Sequence, residues 1–299
     1  MGEPGSGATS PQGQEASDEA LLDGARQGDR RALERLLARH QRRVYRFGLK
    51  MCRDPEDAQD VLQDTLLAVA RGVKDFRGAS SVSTWLYTIA RSFCIKKRRR
   101  SKFAPAEEAS LDGEFATEVR QIADTARGPD ESLAGRQIEA ALEKAIGDLA
   151  PMYREVLVLR DVEGLTAPEV AEVLGLTIEA VKSRLHRARV AVREAVAPML
   201  GVPEPAAGAA PERAEVARGR EVACPDIVAL FSRHLEGEIS AGVCADMEKH
   251  LQACDLCRSR CDSLQRTLAM CRRAPLPEVP EPVQTRVKQA LRRFLEQHA

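Results

Sequence analysis

The chain has 299 residues, enough for two or three domains that each bury a core, and only 4% of its residues are aromatic. Its 45 basic and 45 acidic side chains cancel, so total charge favours no class of partner and only the placement of the charges is informative. No apolar run approaches the roughly twenty residues that span a bilayer, and the N-terminus lacks the apolar core of a signal sequence. The expectation is a cytoplasmic protein with no membrane partner.

Residues 1–17 are mainly Gly, Ser, Pro and Gln, a composition expected to be disordered. Residues 18–102 carry dense helical periodicity, with Leu33, Leu36, Leu37, Val44, Tyr45, Phe47 and Leu49 in one run and Val61, Leu62, Thr65, Leu66 and Val69 in the next. Asp57, Asp60 and Asp64 share the face opposite Val61, Leu62 and Leu66, which makes one side of that helix acidic. A small-residue loop at 78–83 leads into an amphipathic helix with Trp85, Leu86, Ile89 and Phe93, which runs on into the basic stretch 96–100. A basic helix with aromatics beside a polar loop suits an unstacked single strand. Trp85, taken by itself, reads better as a core aromatic. Cys52 and Cys94 sit singly on helical faces and read as small buried hydrophobes. Residues 103–129, rich in Ala, Glu and Asp and closing on Gly128-Pro129, form a linker.

The second helical unit, residues 130–199, contains a helix-turn-helix pattern. Thr166 is placed to cap one helix, with Pro168 and Glu169 in its first turn, and Val170, Ala171, Val173 and Leu174 follow at the helical period. Gly175 ends that helix and Thr177 caps the next. Val181, Leu185 and Ala188 face inward; Lys182, Ser183, Arg184, His186, Arg187 and Arg189 make the other face cationic, opposed by Glu179. Such a second helix suits the DNA major groove. Residues 200–222 form a second linker, expected to be flexible to semi-extended.

Residues 223–273 are dense in cysteine, with Cys224, Cys244, Cys254, Cys257, Cys261 and Cys271. His250, Cys254 and Cys257 are a tight set of ligands, and Cys224 is the best candidate for the fourth corner of a tetrahedral zinc site. In a cytosolic chain closely spaced Cys and His favour metal over structural disulfides. Cys244, Cys261 and Cys271 exceed what one such site needs, and His234 lies within reach. They read either as sensing thiols, for oxidation or a thiophilic ion, or as ordinary cysteines of a small helical domain. Residues 274–299 comprise a Pro-rich joint and an amphipathic helix with Val283, Val287, Leu291, Phe294 and Leu295.

The motifs DAQDVLQDT and STWLYTIAR resemble region two of the sigma-70 family, and VKSRLHRAR resembles its region four. Two such modules joined by a short linker resemble the extracytoplasmic-function group, and CPDIVALFSRHLEGEIS before HLQACDLC resembles a zinc-binding anti-sigma domain. The resemblance implies an all-α fold: a region-two bundle, a region-four helix-turn-helix and a small helical zinc-binding domain. It implies a non-catalytic initiation factor that binds core RNA polymerase and a bipartite promoter. Asp57, Asp60 and Asp64 would dock on polymerase. Phe76, Ser80, Ser81, Ser83, Trp85, Arg91, Lys96, Lys97 and Arg98 would hold the melted promoter strand. The helix begun by Thr177 would read duplex DNA. The tail would touch the sigma modules within the same chain, as inhibitor or as activator. The alternatives are a helix-turn-helix regulator that binds duplex DNA unaided and carries a metal-binding sensor domain, and an enzyme with a catalytic zinc. The acidic helix and single-strand module speak against the first; the absence of an HExxH spacing and a filled four-ligand site speak against the second.

Overall fold

The chain is helical, in a computed structural model that describes residues 16–103, 129–201, 213–216 and 220–297. The N-terminal stretch expected to be disordered, nearly all of the first linker and much of the second lie outside the described residues. Helix α1 (Asp18–Arg26) starts where the Ser17 hydroxyl accepts from the Ala20 amide, and α2 (Arg30–Cys52) where the Asp29 carboxylate accepts from Arg31 and Ala32. Asp54 caps α3 (Pro55–Gly72), and Ser81 accepts from the Thr84 amide at the start of α4 (Val82–Phe103). A Cβ at Gly48 would stand 3.3 Å from Ala58, so glycine there lets α2 and α3 approach closely.

The second unit comprises α5 (Pro129–Asp148), α6 (Pro151–Leu157), α7 (Ala167–Leu174) and α8 (Ile178–Val196). Thr166 and Glu169 close a reciprocal capping box on α7, Gly175 ends it with φ 64°, and Thr177 caps α8, as the local pattern predicts. Helix α6 runs on into one π turn, Val158–Val162, in which the Glu163 amide donates to the Val158 carbonyl. Part of the second linker departs from the semi-extended expectation: β1 (Arg213–Val216) pairs antiparallel with β2 (Arg220–Ala223), Arg213 opposite Ala223.

The tail contains α9 (Ile227–Leu235), α10 (Ala241–Ala253), α11 (Asp255–Arg273) and α12 (Glu281–Gln297). One core runs through α1 to α8 and takes in Cys271, Val279, Val283, Val287 and Leu291 from the tail. A second, smaller core gathers Ile227, Val228, Met247, Leu264 and Leu268 with Cys254, Cys257 and Cys261, and Val190 of α8 packs against it. The tail thus shares apolar surface with both preceding units, which is where burial contributes most to keeping it docked.

Candidate functional site

Three acids beside the π turn organise the interior. The Glu163 carboxylate accepts two bonds from the Arg46 guanidinium, both 2.8 Å, and one from the Tyr87 hydroxyl at 2.7 Å. Its side chain is wholly buried, and Arg46 also donates to the Val162 and Ala274 carbonyls, so one arginine joins α2, the π turn and the tail. Burial pushes the Tyr87 hydroxyl well above its ordinary value, and the Glu163 charge adds to the shift. Burial pulls the Arg46 guanidinium the other way, but Glu163 outweighs it and raises the net value. On α6, Glu155 receives Arg91 at 3.0 Å and Arg98 at 2.8 Å from α4. Asp161 receives Arg189 of α8 at 2.7 and 2.8 Å.

Arg189 is therefore not on the exposed cationic face where the helical pattern puts it. Its side chain has 0% exposure, held by Asp161, by Glu236 of the tail at 2.8 Å and by Ser232. A guanidinium so far from water requires paired carboxylates, and these come from elements outside its own helix. Lys182 pairs with Glu238 of the tail at 2.7 Å and Arg187 donates to the Tyr153 hydroxyl. Ser183 and Arg187 are exposed, Arg184 and His186 half-buried, and Thr177 is spent on its cap.

The residues expected at a single strand are likewise engaged. Phe76 and Trp85 stack with ring centroids 4.4 Å apart. The Ser81 hydroxyl donates to Glu169 of α7 at 2.9 Å, Arg91 and Arg98 reach Glu155, and Lys97 bridges Asp57 and Asp60 at 3.1 and 2.6 Å. Ser80 and Ser83 are half-buried, whereas Lys96 and Asp64 are exposed. Beside the acids, α12 lies on α3: Val283, Val287 and Leu291 enter the core, Arg286 donates to Gln59 at 2.8 Å, and Arg71 stands over the Phe294 ring.

In the tail, the ligand atoms of Cys224, His250, Cys254 and Cys257 all lie within 4.8 Å of one another. The Cys224 and Cys254 sulfurs are 3.9 Å apart, close to the roughly 3.8 Å that two thiolates take around one tetrahedral zinc. His250 Nε2 is buried with no hydrogen-bond partner, the state of a nitrogen whose lone pair is reserved for a cation. Burial, then Cys254 and Cys224, push the Cys257 thiol far up, and a bound cation reverses that balance by stabilising thiolate. The residues fit the metal.

The extra thiols divide. Cys261 belongs to the tail core and Cys271, at 1% exposure, to the core that runs through α1 to α8; burial pushes each up to about 12. Neither has the exposure or low pKa of a reactive thiol. Cys244 is half-buried, between His234 and Glu248. Cys52 and Cys94 stand 3.5 Å apart between α2 and α4. Sequence reasoning missed Arg46, Glu155, Asp161 and Glu163. The signal was present: three acids inside the apolar run REVLVLRDVEG must be buried and therefore paired.

Comparison with known proteins follows the same division. Residues 36–103 match the family described as Sigma-70 region 2, residues 139–192 match Sigma-70, region 4, and residues 224–258 match “Putative zinc-finger”. The RNA polymerase sigma-H factor of Pseudomonas aeruginosa is 30% identical over 187 residues, covering 61% of this chain and 95% of that protein. The ECF RNA polymerase sigma factor SigM of Mycobacterium tuberculosis is 34% identical over 177 residues, 58% of this chain and 82% of that one. The solved structure of CnrH in complex with the cytosolic domain of CnrY aligns with a TM-score of 0.43 at 26% identity, covering 62% of this chain and 99% of that one. Among the described residues no helix is long and apolar enough to cross a membrane.

Proposed function

The chain belongs to the extracytoplasmic-function group of the sigma-70 family, and we propose that its fused zinc-finger tail is an intramolecular clasp that keeps this sigma factor closed. Sigma factors act in transcription initiation and are not enzymes; their partners are RNA polymerase and promoter DNA, and a regulator that binds DNA unaided is not favoured. The clasp reading is carried by one observation: the tail holds α8 through Glu236 on Arg189 and Glu238 on Lys182 while its last helix covers part of α3.

In this reading Asp57, Asp60 and Asp64 dock on core polymerase. Phe76, Ser80, Ser81, Ser83, Trp85, Arg91, Lys96, Lys97 and Arg98 take the melted strand. Thr177, Lys182, Ser183, Arg184, His186 and Arg187 face duplex DNA, while Arg189, paired with Asp161 inside the same unit, stays buried. The protein works in the cytoplasm, where Cys224, His250, Cys254 and Cys257 hold zinc that folds the tail. The tether between units gives the clasp a high local concentration, so even weak contacts keep it populated.

The experiment is the affinity for core RNA polymerase of the full chain against one ending at Ala210. Truncation is expected to strengthen binding by at least tenfold. Equal or weaker binding of the truncated chain rejects the clasp.

A further inference from the structure

We infer that Glu155 occupies the place of a DNA phosphate between Arg91 and Arg98, so that region four itself bars the melted strand from region two. Arg91 and Arg98 lie seven residues apart on α4, about two turns along one face, so their long side chains can close on a single anion from either side. In the closed chain that anion is the Glu155 carboxylate of α6. Its Oε2 accepts from Arg91 Nε at 3.0 Å and its Oε1 from a terminal nitrogen of Arg98 at 2.8 Å. The Glu155 side chain is 8% exposed, against 27% and 30% for the two arginines, so the acid is inserted between cations that still reach water. A phosphodiester makes the same offer, a negative charge spread over two non-bridging oxygens that guanidinium donors take at similar distances. Carboxylate and phosphate therefore compete for one pair of donors.

A second acid of region four acts on the same module. Glu169 of α7 accepts from the Ser81 hydroxyl at 2.9 Å, at the loop that leads into α4. Both acids stand on helices of the duplex-reading unit, and every side chain involved belongs to the sigma modules, so this lock is distinct from the tail's hold on Arg189 and Lys182. Lys97 marks its limit. The partners of that lysine, Asp57 and Asp60, are on α3 of the same module, so parting the modules frees Arg91, Arg98 and Ser81 and leaves Lys97 engaged. The strand affinity of the closed chain is lowered in proportion to the fraction of molecules in which Glu155 holds the arginines. The inference rests on the reading that Arg91 and Arg98 take the melted strand, and adds what keeps them from it.

The test measures, by fluorescence anisotropy, binding of a labelled single-stranded oligodeoxynucleotide of mixed sequence to the full-length protein. Glu155→Gln keeps the shape of the side chain and removes its charge, and is expected to raise affinity at least fivefold. Circular dichroism and urea unfolding check that each variant is folded. Adding Arg91→Gln and Arg98→Gln to it should return affinity to that of the parent or below, because the gain passes through those two donors. Glu143→Gln loosens the same seam at Lys50, away from both arginines, and should gain less than twofold. No gain from Glu155→Gln, an equal gain from Glu143→Gln, or a gain that survives loss of the arginines overturns the lock. A second arm uses holoenzyme assembled with core polymerase, where the chain carrying Arg91→Gln and Arg98→Gln is expected to bind the strand at least fivefold more weakly than the parent. That loss without a gain from Glu155→Gln rejects the lock and leaves the strand reading standing; no loss rejects both.

Discussion

Glu163 is the residue on which the closed arrangement depends most, since its carboxylate is shared by Arg46 and Tyr87 where water is excluded. Glu163→Gln leaves the Arg46 guanidinium buried without a counter-charge, and removing one partner of such a pair costs about 3 to 5 kcal/mol. Tyr87→Phe removes one bond and leaves the ion pair intact, at a cost of about 1.5 to 3 kcal/mol for a hydrogen bond to a charged group. Urea unfolding should rank the two variants in that order; equal costs would mean that the ion pair does not carry the network. His40 gives a second residue-level prediction. Burial lowers its pKa from 6.5, and Asp18 only partly restores it. The folded chain therefore binds the His40 proton less readily than the unfolded one. Its contribution is full above pH 6.5 and is lost as pH falls through the lowered folded value. Urea midpoints from neutral pH downward should show that loss, and His40→Gln should flatten it; an unchanged slope would place the titration elsewhere.

At the scale of elements, α12 shows what a one-dimensional pattern can and cannot say. Val283, Val287 and Leu291 are spaced by four, so a buried stripe was legible from the sequence, yet nothing in it named α3, more than two hundred residues away, as the surface covered. The caps on α7 and α8 were equally legible because Thr166, Glu169, Gly175 and Thr177 act on their own neighbours. Arg189 was misread for the opposite reason: its position belongs to the polar side of α8, and only Asp161 and Glu236, on other elements, make its burial affordable. Likewise no local pattern announced the π turn. Its placement lets Asp161 meet α8 while Glu163, two residues on, meets α2 and α4. If α12 covers the polymerase surface, Val287→Asp should uncover it. A carboxylate in that stripe must lose its burial or its charge, at a cost of several kcal/mol, and each 1.4 kcal/mol is tenfold in the closed-to-open ratio. Amide hydrogen exchange should rise in α3 and α12 together, and affinity for core polymerase should rise at least tenfold. Faster exchange with unchanged affinity would show that α12 covers the wrong surface.

For the whole molecule, the question is whether the metal cluster and the sigma modules open as one unit. Helix α11 physically links them: it begins beside Cys254 and Cys257 and ends with Cys271 inside the core shared by α1 to α8. A helix loses its turns cooperatively, and the second core is too small to hold α9, α10 and the first half of α11 once its four ligands repel or are set free. Metal removal should therefore travel along α11 to the module interface. Cysteine alkylation read by mass spectrometry separates the alternatives. In the metal-loaded protein Cys244 is expected to react first, and Cys254, Cys257, Cys261 and Cys271, all buried, are expected to be protected. After chelation Cys224, Cys254, Cys257 and Cys261 should react together, and Cys271 with them, while Cys94 between α2 and α4 stays protected. Labelling of Cys271 in step with the cluster means that loss of the ion withdraws the tail from the sigma modules, frees Lys182 and leaves Arg189 paired with Asp161. Protection of Cys271 after the cluster has reacted would mean that the clasp survives without its metal, leaving the ion a purely local role in folding the tail.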